Sequence, residues 1–267
     1  MRVGIIGAGK VGTAIGYVMK QRGLSVVAVS DVLEAPLNVA RTYLGEDIHY
    51  TYDNMEVVET SDVIAITTQD RIISQVAKEI SAKGKSLESK VFFHTSGAHP
   101  SSILTPLDKN GALLGSLHPL QTFPDIDSAI IVLPDTFVFI DGDEKSIDIL
   151  NQVGNAIGCA VVRIEGQHKV LYHLSAVFVC NLLCALLYAG ENIMDRIGIE
   201  LKPFFPIIEA TLKNIKKKGP LMSLTGPVIR GDTETVDSHL IAMADMELYR
   251  NVYKNLSLVA LDIVKKR

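Results

Sequence analysis

In the first half of the chain, apolar residues fall in short unbroken runs rather than in alternation. Residues 3–6, 25–29, 63–67 and 90–94 are such runs, rich in valine, isoleucine and phenylalanine, and segments able to hold helices, such as 11–21 and 72–83, lie between them. A strand that is apolar on both sides must be covered on both sides, so the pattern predicts a mostly parallel sheet flanked by helices. Two further candidate strands, 136–140 and 160–164, with a helix over 144–157 between them, could extend that sheet. Beyond Gln167 the apolar periods lengthen into helical segments at 168–197, 202–217 and 236–265, broken by glycine, proline and the Leu224-Thr225-Gly226-Pro227 loop. The expected organisation is a doubly wound α/β domain over 1–165 followed by an all-helical domain over 166–267.

Composition narrows the possible functions. A net charge of −4 over 267 residues gives no field that would gather nucleic acid or an anionic membrane, so any phosphate site has to be local. The basic run from Lys213 to Lys218 reads as a solvated helix end. Cys159, Cys180 and Cys184 are odd in number and sit in apolar sequence, which reads as buried core thiols in a reducing compartment. With no charged leader ahead of the first strand, the expected location is cytoplasmic. Residues 171–189 approach the length of a membrane span, but Tyr172, His173, Ser175, Asn181 and Tyr188 interrupt them, and they read as a buried helix.

The first chemical signal is Gly7-Ala8-Gly9-Lys10-Val11-Gly12, placed between the first strand and the first helix. Alone this spacing is weak, but the strand–helix–strand setting is that of a dinucleotide site. Gly7 permits the tight turn, Gly9 lets a pyrophosphate approach the backbone, and Gly12 lets helix and strand pack closely. The helix N-terminus then meets the phosphates with free amides and the positive end of its dipole. Ser30 and Asp31 end the second strand, where the 2′ position of the adenosine ribose is read. Asp31 favours NAD and Ser30 is compatible with NADP, which leaves the two open.

Ligands of open α/β sheets lie beyond the carboxyl ends of the strands, so Thr67, Thr68 and Gln69, together with Ser96 and Gly97, are expected to line the nicotinamide side. His118, stiffened by Pro119, and the pair Lys169 and His173, four apart on one helix face beside Tyr172, are the candidates for moving a proton. Tyr172 itself, Asn181, inside an apolar helix, and Thr225 with Arg230, in a polar loop, are candidates for holding a substrate. No metal site is expected.

Taken together, Gly7-Ala8-Gly9, His94-Thr95-Ser96-Gly97, His118-Pro119, Tyr172-His173-Leu174-Ser175-Ala176, Asn181 and Thr225-Gly226-Pro227 with Arg230 resemble two-domain oxidoreductases that join a Rossmann-like domain to a helical domain of unknown function. More distantly the chain is similar to pyrroline-5-carboxylate reductases and to β-hydroxyacid and 6-phosphogluconate dehydrogenases. The resemblance implies a second domain of the 6-phosphogluconate dehydrogenase C-terminal type, a homodimer formed through it, and reduction of a small carbonyl or imine, or oxidation of an alcohol, by NADP or NAD. Close relatives often carry Ser-Arg where this chain has Ser30-Asp31. A non-catalytic dinucleotide sensor is the alternative that the same residues allow.

Overall fold

The computed structural model describes residues 1–266. They divide into two compact units, the first covering Met1–Val179 and the second beginning at Cys180.

The first unit is built on an eight-stranded sheet of β1 (Arg2–Ile6), β2 (Ser25–Ser30), β3 (His49–Thr51), β4 (Val63–Ile66), β5 (Val91–His94), β6 (Leu113–Pro119), β7 (Phe137–Gly142) and β8 (Ala160–Arg163). Their spatial order is β3-β2-β1-β4-β5-β6-β7-β8. All neighbouring pairs are parallel except β6 with β7, which run antiparallel with His118 opposite Phe139 and Ser116 opposite Asp141. Around the sheet lie α1 (Lys10–Gln21), α2 (Glu34–Leu44), α3 (Asn54–Thr60), α4 (Asp70–Ala82), α5 (Ile126–Val132), α6 (Glu144–Ala156) and α7 (Lys169–Val179). Every residue of β4 and β5 is buried, as continuous apolar runs require, and two hydrophobic clusters contain Val3, Ile5 and Phe93 on the one hand and Ile6, Ile64 and Phe92 on the other. Strands β3 and β6 were not among the expected elements. The first has three residues, and the second contains Gly115 and ends on Pro119, so neither shows the apolar run that marks β4 or β5.

The second unit is helical: α8 (Asn181–Asp195), α9 (Phe205–Ser223), α10 (Pro227–Arg230), α11 (Thr233–Ala242) and α12 (Glu247–Lys266). The segment expected as one helix over 168–197 is two, divided at Cys180. Asn181 is therefore the exposed first residue of α8 rather than a polar group inside a helix. The segment expected over 236–265 is likewise divided, between α11 and α12, and α9 is broken at Gly219, whose φ is 76°.

Two burial expectations are corrected. Cys159 is buried, but Cys180 is half-buried and Cys184 is exposed. The stretch around 171–189 is also not a buried helix. Gly166–Asp195 is long and apolar enough by composition to cross a membrane, and Leu171, Leu174, Phe178, Leu182 and Leu186 are exposed. The all-round apolar pattern that suggested burial meets no covering element within the described residues. The first turn of this segment is nevertheless tied into the first unit, through Lys169.

Candidate functional site

The glycine loop joins β1 to α1 at the carboxyl edge of the sheet. Gly7 has φ of 105°, which glycine adopts without strain, and its amide donates to the Ser30 carbonyl at 2.8 Å. A Cβ at Gly12 would stand 2.1 Å from the Gly7 carbonyl oxygen and 2.4 Å from Thr67 Oγ1, so α1 packs where only glycine fits. At Gly9 the contrast is complete: a Cβ would meet nothing within 4 Å among the described residues, and no side chain caps α1 there. The loop holds its turn at Gly7, its close packing at Gly12, and an open helix N-terminus at Gly9. Ala8 is buried, Val11 packs against the core, and the Lys10 ammonium donates to the Pro124 carbonyl.

A cavity of about 550 Å³ runs from this loop past Ser30, Asp31, Thr67, Thr68 and Gln69. Thr67 Oγ1 donates to the Gly7 carbonyl at 2.7 Å and so braces the loop, whereas Thr68 Oγ1 is buried without a partner among the described residues. Ser30 is fully buried and commits its hydroxyl proton to Asn54 Oδ1 at 2.7 Å, with both residues on the cavity lining. Asp31 takes the Ala8 amide on Oδ2 at 2.8 Å and the Leu33 amide on Oδ1 at 3.0 Å, which fixes the carboxylate at the rim of the cavity. These features fit a dinucleotide: an amide-lined anion site, an orphaned hydroxyl, and an acidic group where a ribose would lie.

A second cluster of polar groups forms on β5, β6 and α7 of the same unit. His118 Nδ1 lies 2.7 Å from Tyr172 Oη, and the Tyr172 ring packs on Phe139 with centroids 4.3 Å apart. The His118 and His173 rings meet edge to face at 6.2 Å. Both imidazoles sit above Gly97, where a Cβ would lie 2.8 Å from both His118 Nε2 and His173 Nδ1. His173 Nδ1 is buried and unpartnered among the described residues. Burial pushes the His118 pKa down to about 4, with the positive Lys169 adding to the effect, so the ring is neutral at pH 7. Burial raises the Tyr172 pKa, so that hydroxyl keeps its proton. With both groups neutral, the contact allows the tautomer in which Tyr172 donates to Nδ1 and His118 presents Nε2–H as its own donor.

The loop after β5 is braced separately. Ser96 Oγ donates to Asp70 Oδ2 at 2.8 Å and accepts from the Ala98 and His99 amides, both at 3.2 Å. His94 accepts from the Ser96 amide at 3.1 Å, and Nε2 lies 3.1 Å from the Pro100 carbonyl. Lys169, fully buried, donates to the Ser96 carbonyl at 2.9 Å and to Ser116 Oγ at 2.6 Å, with Asp141 Oδ1 3.4 Å away. Sequence reasoning placed Asp70 only with the segment lining the cleft and gave no role to Ser116 or Asp141. The one available signal was Lys169 itself, because a lysine opening an apolar run needs a partner if it is buried.

The remaining candidates belong to the second unit. Thr225 lines an apolar cavity of about 360 Å³ with Leu186, Met243 and Tyr253, and Arg230 is exposed with Asp232 at 3.9 Å. Within that unit Asn181 stands at the start of α8. Groups of His, Cys, Asp and Glu arranged to hold a metal ion do not occur among the described residues.

Comparison with known proteins agrees with this architecture. Residues 1–119 match the sequence model of a Rossmann-like domain, and residues 136–259 match that of a domain of unknown function, DUF2520. The chain is a two-domain protein that joins a Rossmann-like domain to a DUF2520 domain. Among solved structures, a Bacteroides fragilis protein named as a candidate NADP oxidoreductase is 21% identical, covering 100% of this chain and 98% of its own, with a TM-score of 0.82. A Thermotoga maritima protein is 23% identical over 99% and 98% of the two chains, with a TM-score of 0.76. A reductive aminase from Aspergillus terreus, solved with NADPH and ethyl-5-oxohexanoate, is 14% identical over 98% and 93%, with a TM-score of 0.75. No curated protein matches the chain.

Proposed function

We propose that this protein is an NAD(P)-dependent oxidoreductase acting on a small carbonyl, imine or alcohol. The observation that carries the proposal is the pairing of an open, amide-lined glycine loop with a neutral His118–Tyr172 donor pair in one unit. A bound nicotinamide supplies or accepts the hydride. In the reductive direction His118 Nε2–H gives its proton to the oxygen or nitrogen that becomes anionic, while Tyr172 returns a proton to Nδ1 and is itself reprotonated from water. Gly97 leaves room for both imidazoles, and the unpartnered His173 Nδ1 orients the substrate or the carboxamide of the cofactor. Fluorescence titration with NADH and with NADPH tests the first half of the proposal: saturable binding is expected, and its absence for both would refute it.

Asp31 supports a finer reading, a preference for NAD(H). Its carboxylate is pinned at the cavity rim and residues 30–40 contain neither Lys nor Arg, so a 2′-phosphate beside it would meet negative charge with no cation from that segment; Arg71, which lines the same cavity, is held by Gln69 Oε1 at 3.0 Å. The solved aminase named above carries NADPH instead. Replacing Asp31→Arg is expected to raise affinity for NADPH relative to NADH at least tenfold, about 1.4 kcal/mol, when both are titrated against wild type and variant. An unchanged ratio would dissociate Asp31 from cofactor choice.

The exposed apolar side chains of α8 and α12, among them Leu182, Leu186, Leu256, Leu258, Val259 and Leu261, support a homodimer formed through the helical domain. Light scattering should give twice the chain mass. A monomer at micromolar concentration would contradict this reading.

A further inference from the structure

The lysine four residues before His173 invites assignment as the proton donor, but its surroundings point elsewhere. Lys169 is fully buried, and its ammonium donates to the Ser96 carbonyl and Ser116 Oγ with the Asp141 carboxylate 3.4 Å away. Each of these partners belongs to a wall of the His118 cluster. Ser96 precedes Gly97, the residue over which both imidazoles sit, and Ser116 lies two residues before His118 on β6, with its side chain on the same face of the strand. Asp141 pairs with Ser116 across β6 and β7, accepts the Ser116 hydroxyl, and takes the Ser101 amide at 2.8 Å. Lys169 itself opens the helix whose next turn carries Tyr172 and His173.

We propose that Lys169 is a positioning residue: its ammonium, neutralised by Asp141, ties α7 to the Ser96 loop and to β6 so that His173 and His118 converge over Gly97 and Tyr172 meets His118. This rests on the reading of His118 and Tyr172 as the proton-handling pair. A buried charge is costly unless paired and hydrogen-bonded, and here both conditions hold with partners drawn from three separate segments. A single point fixes helix, loop and strand together. A proton donor would instead have to reach a reacting atom, whereas Lys169 is fully buried with two hydrogen bonds and an ion pair inside the fold.

Two experiments test this on the whole protein. In the first, the native protein is treated with a small amine-acylating reagent and its lysines are mapped by mass spectrometry. Lys169 should stay unmodified in the native state and react after unfolding; modification in the native state that NADH suppresses would overturn the proposal. In the second, the charge-free pair Lys169→Met/Asp141→Asn is compared with wild type by ¹⁵N NMR of the histidine rings. The hydrogen-bonded Nδ1 signal of His118 should disappear, with kcat on an accepted substrate falling about 100-fold and the pH profile of kcat keeping its shape. A His118 signal left unchanged, or a lost limb of the pH profile, would overturn the positioning role. Ser116→Ala, which keeps the ion pair, should weaken the same signal by less. Turnover that survives His118→Ala would instead refute the proton-handling pair while leaving the labelling result intact.

Discussion

Replacing Gly12→Ala should lower the stability of the first unit by about 3 kcal/mol, whereas replacing Gly9→Ala should leave stability unchanged and remove at least nine-tenths of the affinity for NADH. The two glycines stand three residues apart in one motif but face different surroundings. At Gly12 the added methyl would lie 2.1 Å from a backbone carbonyl and 2.4 Å from the Thr67 hydroxyl that braces the loop, and backbone cannot rotate away as a side-chain end can. Either β1 and α1 separate or the loop rebuilds, and in both cases the anion site goes with them. At Gly9 the backbone is extended, with φ of −72°, and the methyl enters open space on the side of the cavity. The only thing it can displace is a ligand. Thermal melts combined with NADH titration separate the cases: a shift of roughly 6–12 °C for Gly12→Ala and none for Gly9→Ala is the expected pattern. Equal effects on both quantities would mean that the loop is a structural turn.

The largest loss of turnover is expected at the His118–Tyr172 pair. His118→Ala removes the donor and should cost 10²–10⁴-fold in kcat, on the order of 3–5 kcal/mol. Tyr172→Phe keeps the ring on Phe139 but removes the hydroxyl that supplies His118 Nδ1, and should cost about 10–100-fold. Because the two act in series, the double variant should be little worse than His118→Ala alone, a non-additivity that unconnected residues do not show. The pH dependence follows from the burial of His118. With its pKa pushed down to about 4, the imidazole stays neutral from pH 5 to 8, and kcat should not fall through that range on its account. A fall centred near 6.5 would mean that His118 is open to water and titrates as an ordinary imidazole.

Much of the first domain was legible because its strands announce themselves. Runs such as Val63–Ile66 and Val91–His94 have to be buried on both faces, and the glycine loop follows β1 directly. Strand β6 was not legible: Gly115, Ser116, His118 and Pro119 dilute its apolar content, yet it carries His118 and an anchor for Lys169. Its antiparallel partner β7 places Asp141 beside Ser116, a pairing between residues 25 apart in sequence that no local pattern encodes. The motif residues Lys169, Tyr172 and His173 were recognisable as a group, but their division of labour was not. Helical spacing puts Lys169 and His173 on one face, whereas the structure turns Lys169 into the domain and brings His173 to His118. The helices of the second unit were legible as apolar segments, and their exposure was not, because an apolar face does not say whether its own chain or another covers it.

The central claim, hydride transfer at this site, is tested most directly with NADH deuterated at C4, incubated with the protein and a panel of small ketones, cyclic imines and ketone–amine mixtures, with products analysed by mass spectrometry. At least one product carrying a single deuterium on the former carbonyl or imine carbon, absent with His118→Ala, is the predicted result. Saturable NADH binding without deuterium in any product across the panel would contradict the claim and leave a dinucleotide sensor in its place.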